Sequence, residues 1–230
     1  LTVTDIVADD EAAALTAYTA TLTGATSVTL NSSDTTWSVA SSALTTALAD
    51  GVFLAGTLTV TDIVTDDEAA ALTAYTTTLT GATSVTLTAA DNTWSVTPAD
   101  LATALAEGVL FADALTVTDI AAGSEAAALT DYTTAKTGAT TNTLRATDEI
   151  WSVAASDMTT ALAAGVRLAG DLTVTGIANG SETAALTAYT ATTTGATSVT
   201  LTATDEIWSV TGSALTTALA DGVFLAGTLT

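Results

Sequence analysis

The chain has 230 residues, with 25 acidic side chains against 3 basic ones and a formal charge of −22. A nucleic-acid-binding face needs clustered cations to displace counterions, and an anionic membrane surface attracts only basic patches, so both partners are excluded. The chain has no Cys and no His, which removes disulfides, thiolate and imidazole metal ligands and the commonest catalytic bases and nucleophiles.

The first residues read LTVTD, at Leu1–Asp5. The phrase returns at Leu58 and Leu115, and as LTVTG at Leu172. Its period-two alternation predicts a strand with Leu58 and Val60 turned inward and Thr59 and Thr61 outward. A helix follows, with Asp9 and Asp10 as caps and Glu11 in the first turn, where acids are favoured. Ala12, Leu15, Tyr18 or Thr19, and Leu22 give it an apolar stripe at helical spacing, and Gly24 suits its C-terminal cap. TSVTL is the next strand, with Val28 and Leu30 inward, and TWSV is a short extended piece. A second helix is clearest in the segment TPADLATALAEG: Thr97 as cap, Pro98 at the first helical position, Gly108 past the end. Leu101, Ala104 and Leu105 face inward, and TLTVT begins again.

The series repeats every 57 residues without an insertion: 1–57, 58–114, 115–171 and 172–228, with 229–230 opening a fifth copy. Each copy divides into two similar coils of about 28 residues. Helix, strand and short strand at near-constant length predict an α/β solenoid: about eight helix–strand coils in one continuous array over residues 1–230, with a stacked parallel sheet. Strands stack at about 4.8 Å per coil, which sets Trp37, Trp94, Trp151 and Trp208 in a core column at about 9.6 Å. Tyr18, Tyr75, Tyr132 and Tyr189 form a second column, with hydroxyls at the coil edge.

The coil length and helix–strand order resemble leucine-rich repeats. LAGTLTVTDI, from Leu54, departs from that family's consensus by one spacing and lacks its Asn. Neither an Asn ladder nor a horseshoe curvature follows from the resemblance. The Thr-, Ala- and Asp-rich, Cys-free style looks like tandem-repeat regions of very large bacterial surface or secreted proteins, which implies an extracellular or cell-surface setting.

Two patterns are candidate sites. Thr2, Thr4, Thr59, Thr61, Thr116, Thr118, Thr173 and Thr175 would line one flat face, and Thr-x-Thr arrays on solenoids resemble ice-binding surfaces. Arg145, two residues past Thr143, interrupts such a face, and the strand propensity of Thr explains the rows without a ligand. Asp9, Asp10, Asp66 and Asp67 could gather oxygens for calcium, a hard cation that takes six to eight of them. Helix capping and turn formation explain the acids equally well. Paired carboxylates recur only by repetition, and no Gly-rich phosphate loop or G-x-S-x-G elbow is present, so the expectation is no enzyme and no required cofactor. Asn31 and Asn179 open N-x-S/T sequons. Residues 43–59 and 214–230 are identical, which suggests a window of a longer chain or units that add head to tail. The expected role is therefore structural, a fibre, stalk or surface-layer segment whose partner is itself or flanking repeats. Calcium or ice binding by an adhesin module is the alternative.

Overall fold

The computed structural model describes residues 1–7 and 10–230. In chain order it contains β1 (Thr2–Ile6), α1 (Glu11–Ala17), α2 (Ala20–Thr23), β2 (Val28–Ala40), α3 (Ser41–Ala49), β3 (Val52–Ile63), α4 (Glu68–Ala74), α5 (Thr77–Thr80), β4 (Ser84–Ala89), β5 (Thr93–Val96), α6 (Pro98–Ala106) and β6 (Val109–Phe111). There follow β7 (Ala114–Ile120), α7 (Glu125–Asp131), α8 (Thr134–Thr137), β8 (Thr141–Ala154), α9 (Ala155–Ala163), β9 (Val166–Ile177), α10 (Glu182–Ala188), α11 (Ala191–Thr194), β10 (Ser198–Trp208), α12 (Gly212–Ala220) and β11 (Val223–Leu229). The chain forms two units, Leu1–Leu115 with Thr137–Ala139, and Thr116–Lys136 with Thr140–Thr230.

Within the first unit the sheet runs β1-β2-β3-β4-β6, each pair parallel. In the second, β11, β10, β9, β8 and β7 are neighbours in that order, and β8 to β11 pair in parallel. A parallel pair needs a long crossover, and helices supply it throughout. The fold is thus α/β, with strands and helices alternating along the chain. Leu58, Val60, Leu172 and Val174 are buried, as are the four tryptophans. Each buried Leu or Val side chain contributes about 1.5–3 kcal/mol.

The first helix of each copy differs from the sequence expectation. It is two helices, α1 and α2, broken at Tyr18, whose φ of −116° and ψ of 40° leave the helical region. Thr19 caps the second piece by accepting the Leu22 amide, and Thr76 and Thr190 do the same for Leu79 and Thr193. A Thr side chain offers the backbone a local alternative to the helix. The break also lets Ala20 N–H donate to the carbonyl of Asp50, at the end of the next helix. The inward stripe is consequently Ala14 and Leu15, while Ala12 is exposed and Leu22 is 69% exposed. The second helix follows its sequence closely. Thr97 accepts the Asp100 amide, Pro98 opens α6, and Leu101 and Ala104 are buried. Leu105 is half-buried, and Gly108 has a φ of 74°.

TWSV is extended and leads into the next helix, and in the first copy it is also the paired second half of β2. Trp37 lies beside Leu58 and Ser38 beside Thr59, so β2 and β3 run together over two segments. Between the segments, Ser32–Thr35 of β2 stand against the single Gly56 of β3. The same four-against-one crossing sets 146–149 against Gly170 and 203–206 against Gly227. Thr35, Glu149 and Glu206 each take a left-handed φ near 60° there. A Cβ at Gly56, Gly170 or Gly227 would come within 2.2–2.3 Å of the carbonyl oxygen of that left-handed residue. Glycine is required at this crossing by sterics.

In the second copy the equivalent of Gly56 is Asp113, and both strands stop. β4 ends at Ala89 and β5 starts at Thr93; β6 ends at Phe111 and β7 starts at Ala114. The Asp113 carboxylate accepts the Ala89 amide at 2.9 Å. The rerouting also shows at tryptophan. Trp37, Trp151 and Trp208 donate their indole N–H to Ala55, Ala169 and Ala226 at 2.9 Å each. Trp94 is 1% exposed, packs edge-on to Phe111 at 5.2 Å, and its Nε1 has no hydrogen-bond partner among the described residues.

Candidate functional site

The acidic positions act first on their own backbone. Asp34, Asp91, Asp148 and Asp205 each accept the amide two residues on, at 3.0–3.1 Å. At Asp34, Asp148 and Asp205 these Asx turns lie in the crossing described above, and at Asp91 the turn lies between β4 and β5. Asp34 also accepts the Ser32 hydroxyl at 2.6 Å. That bond, then the Thr36 amide, pulls its pKa from 3.8 down to about 2. Asp91 is lowered chiefly by the Thr93 amide. A carboxylate with a depressed native pKa stabilises the fold fully above its unfolded value, and this stabilisation is lost as pH falls through the native one. For Asp34 the window is therefore from 3.8 down to about 2. A carboxyl-carbon NMR titration should place Asp34 near 2, and Ser32→Ala should move it toward 3.8. An ordinary midpoint in the unsubstituted chain would show that the Ser32 bond does not form in solution.

Of the four calcium candidates, Asp9 lies outside the described residues. Asp10, Asp66 and Asp67 are exposed, the last two in a 3-10 turn over Thr65–Asp67. Asp10 and Asp67 precede α1 and α4 without a side-chain capping bond. Among the described residues no three His, Cys, Asp or Glu side chains are grouped so as to hold a metal.

The glutamates of the same segments do something the sequence reading missed. Glu68 is 5% exposed, and its carboxylate accepts the Ser95 amide at 3.2 Å; Glu11 accepts Ser38 N–H at 2.9 Å. Burial raises the Glu68 pKa, against the opposing Ser95 bond. Glu125 turns instead to the Gly123 amide at 2.6 Å. The signal was present in the repeats. Glu occupies this place in all four copies, while the residues before it change from Asp-Asp to Gly-Ser.

Pairing mixes the threonine rows with other residues. Thr59 lies between Ser38 and Thr86, and Thr173 between Ser152 and Thr200. Thr61 is beside Ala40 and Thr175 beside Ala154. Thr2 is beside Thr29, whose other neighbour is Phe53; Thr86 meets Leu110, Thr143 meets Arg167, and Thr200 meets Phe224. Thr116 and Thr118 are half-buried in β7, and Thr2 and Thr4 are exposed. Thr4, Thr61 and Thr118 donate to the next residue, Asp5, Asp62 and Asp119. Those aspartates have φ near 60°, as has Gly176 at 70°.

No protein-family model, curated protein or solved structure matches the chain. A shallow cleft of about 280 Å³ is bounded by Ser41, Asp67, Tyr75 and alanines of α4, and a cleft of about 290 Å³ recurs beside Tyr189. Tyr75 donates to the Ser41 carbonyl at 3.0 Å and meets the Thr45 hydroxyl at 2.7 Å; Tyr189 repeats this with Ala155 and Thr159. Both phenols are buried and tie neighbouring helices together, where the sequence placed them at an edge. The three cations are likewise engaged: Lys136 with Asp131, Arg145 with Glu149, and Arg167 with the Thr193 carbonyl. Among the described residues no helix is long and apolar enough to cross a membrane.

Proposed function

We propose that the chain is a length of a repetitive extracellular α/β solenoid, one array of about eight coils over residues 1–230. It would serve as fibre, stalk or surface-layer segment, through length, rigidity and self-association. The observation that carries this reading is the recurrence of pairing. Leu58 pairs with Val85 in the first unit, and two repeats later Leu172 pairs with Val199 in the second. Trp37 with Leu58, Trp151 with Leu172 and Trp208 with Leu229 repeat a second pairing. Within each unit, strands of successive copies thus pair with one another, which supports a one-dimensional array. Many of the polar groups described above serve turns, caps and helix ties, which suits a role carried by shape.

Electron microscopy with small-angle scattering tests it, on this chain and on a tandem duplication. The duplication should double particle length at constant width. Particles that stay globular would overturn the reading. Melting in calcium and in EDTA should coincide, and a rise with calcium would favour an ion-binding module instead.

A further inference from the structure

Asn179 is exposed in a turn that precedes α10. The turn spans Ala178–Ser181 and closes with Ser181 N–H donating to the Ala178 carbonyl at 3.0 Å. Gly180 follows Asn179, with a φ of 86° and open space where a Cβ would point. Asn179 Nδ2 donates to Asp205 Oδ2 at 2.7 Å. In the second copy Thr65 makes the matching contact, donating to Asp91 at 3.1 Å. The third copy keeps the turn with Ala122 and Gly123 in these places. The chain's other asparagines, Asn31, Asn92 and Asn142, precede Ser, Thr and Thr, whose side chains hinder the following amide nitrogen. Asn31 and Asn142 also lie in strands, and Asn142 is fully buried.

We propose that Asn179–Gly180 is a site of spontaneous deamidation, placed in the fourth copy alone. The Gly180 amide nitrogen bonds to Asn179 Cγ, the Cγ–Nδ2 bond breaks, and ammonia leaves with the proton from the Gly180 amide. Water then opens the cyclic imide at either carbonyl, giving aspartate or isoaspartate. Glycine permits the approach because it has no side chain and a broad backbone range. The product replaces a donor to Asp205 with a carboxylate facing it, and like charges at hydrogen-bonding distance repel. Isoaspartate also lengthens the backbone of a tight turn. The fourth copy thus carries a slow, irreversible chemical timer that the other three lack.

Peptide mapping after prolonged incubation of the folded chain at mildly alkaline pH tests the proposal. A glutamate-specific protease puts each asparagine in its own fragment: 12–68, 69–107, 126–149 and 150–182. Fragment 150–182 should gain about 1 Da as an amide becomes an acid, with an isoaspartate product, while the others stay unchanged. Gly180→Ala should slow the gain by roughly tenfold or more, since an added side chain narrows the backbone range. Asn179→Thr, which copies Thr65, should abolish it and keep the contact with Asp205. If 150–182 stays unchanged in the folded chain while the urea-unfolded chain converts there, the native turn protects Asn179 and the proposal fails. It fails equally if 69–107 or 126–149 converts as fast.

Discussion

Gly170→Ala should destabilise the protein by about 3 kcal/mol or more, because backbone overlap adds to positive-φ strain. The new Cβ would lie 2.2 Å from the Glu149 carbonyl oxygen and 2.8 Å from its carbon, both backbone atoms of a paired strand. Neither can rotate away, so β8 or β9 must move. Gly123→Ala is the control. Its φ is 87°, yet nothing lies within 4 Å of its Cβ position, so it carries only the left-handed cost of about 1 kcal/mol. Urea unfolding of the two variants measures the difference. Equal losses would mean that the strands at the four-against-one crossing part easily enough to admit a methyl group. The second copy shows what the chain does when the glycine is missing, since both strands at Asp113 are interrupted.

Trp151→Ala should cost about 3–5 kcal/mol, the range for emptying a buried aromatic site. The more telling comparison is Trp151→Phe with Trp94→Phe. Both remove the same volume from a fully buried position. Only the first breaks a hydrogen bond, the one to Ala169 at 2.9 Å, because Trp94 Nε1 has no partner among the described residues. Trp151→Phe should therefore lose about 1 kcal/mol more, the net worth of a typical internal hydrogen bond. Matched thermal melts would show it as a lower midpoint for the Trp151 variant. A larger loss at Trp94 would mean that its indole N–H finds a partner in solution. Asp113→Gly provides the complement, since it should rejoin the strands and raise stability.

The sequence made the repeats, the parallel α/β class, the α6 caps and the inward residues of LTVT legible, because each rests on local spacing. Leu58, Val60 and Leu101 follow directly from alternation or helical period. The break at Tyr18 was hidden because the apolar spacing continues through it to Leu22. What decides that break is the bond from Ala20 N–H to Asp50, a distant carbonyl. The crossing at Gly56 was hidden for a related reason. Its need for glycine arises from Thr35, a residue of another strand, and no pattern within either segment announces the pair. Among the candidate ligands, the acids at Asp34, Asp91, Asp148 and Asp205 were legible as turn formers. The inward course of Glu11 and Glu68 was not, since a carboxylate in a helix's first turn ordinarily faces water.

Asp113 has a consequence for how such a chain finds its fold. Nearly identical copies create an ambiguity of assembly, because a strand displaced by a whole repeat meets almost the same neighbours as in its proper place. Hydrophobic pattern cannot correct that error, since both arrangements bury the same residues. Steric exclusion at one position can. A partner strand that brings Asp113 where Gly56, Gly170 or Gly227 belongs would drive a side chain into a carbonyl. The odd copy thus marks its own place in an otherwise interchangeable series.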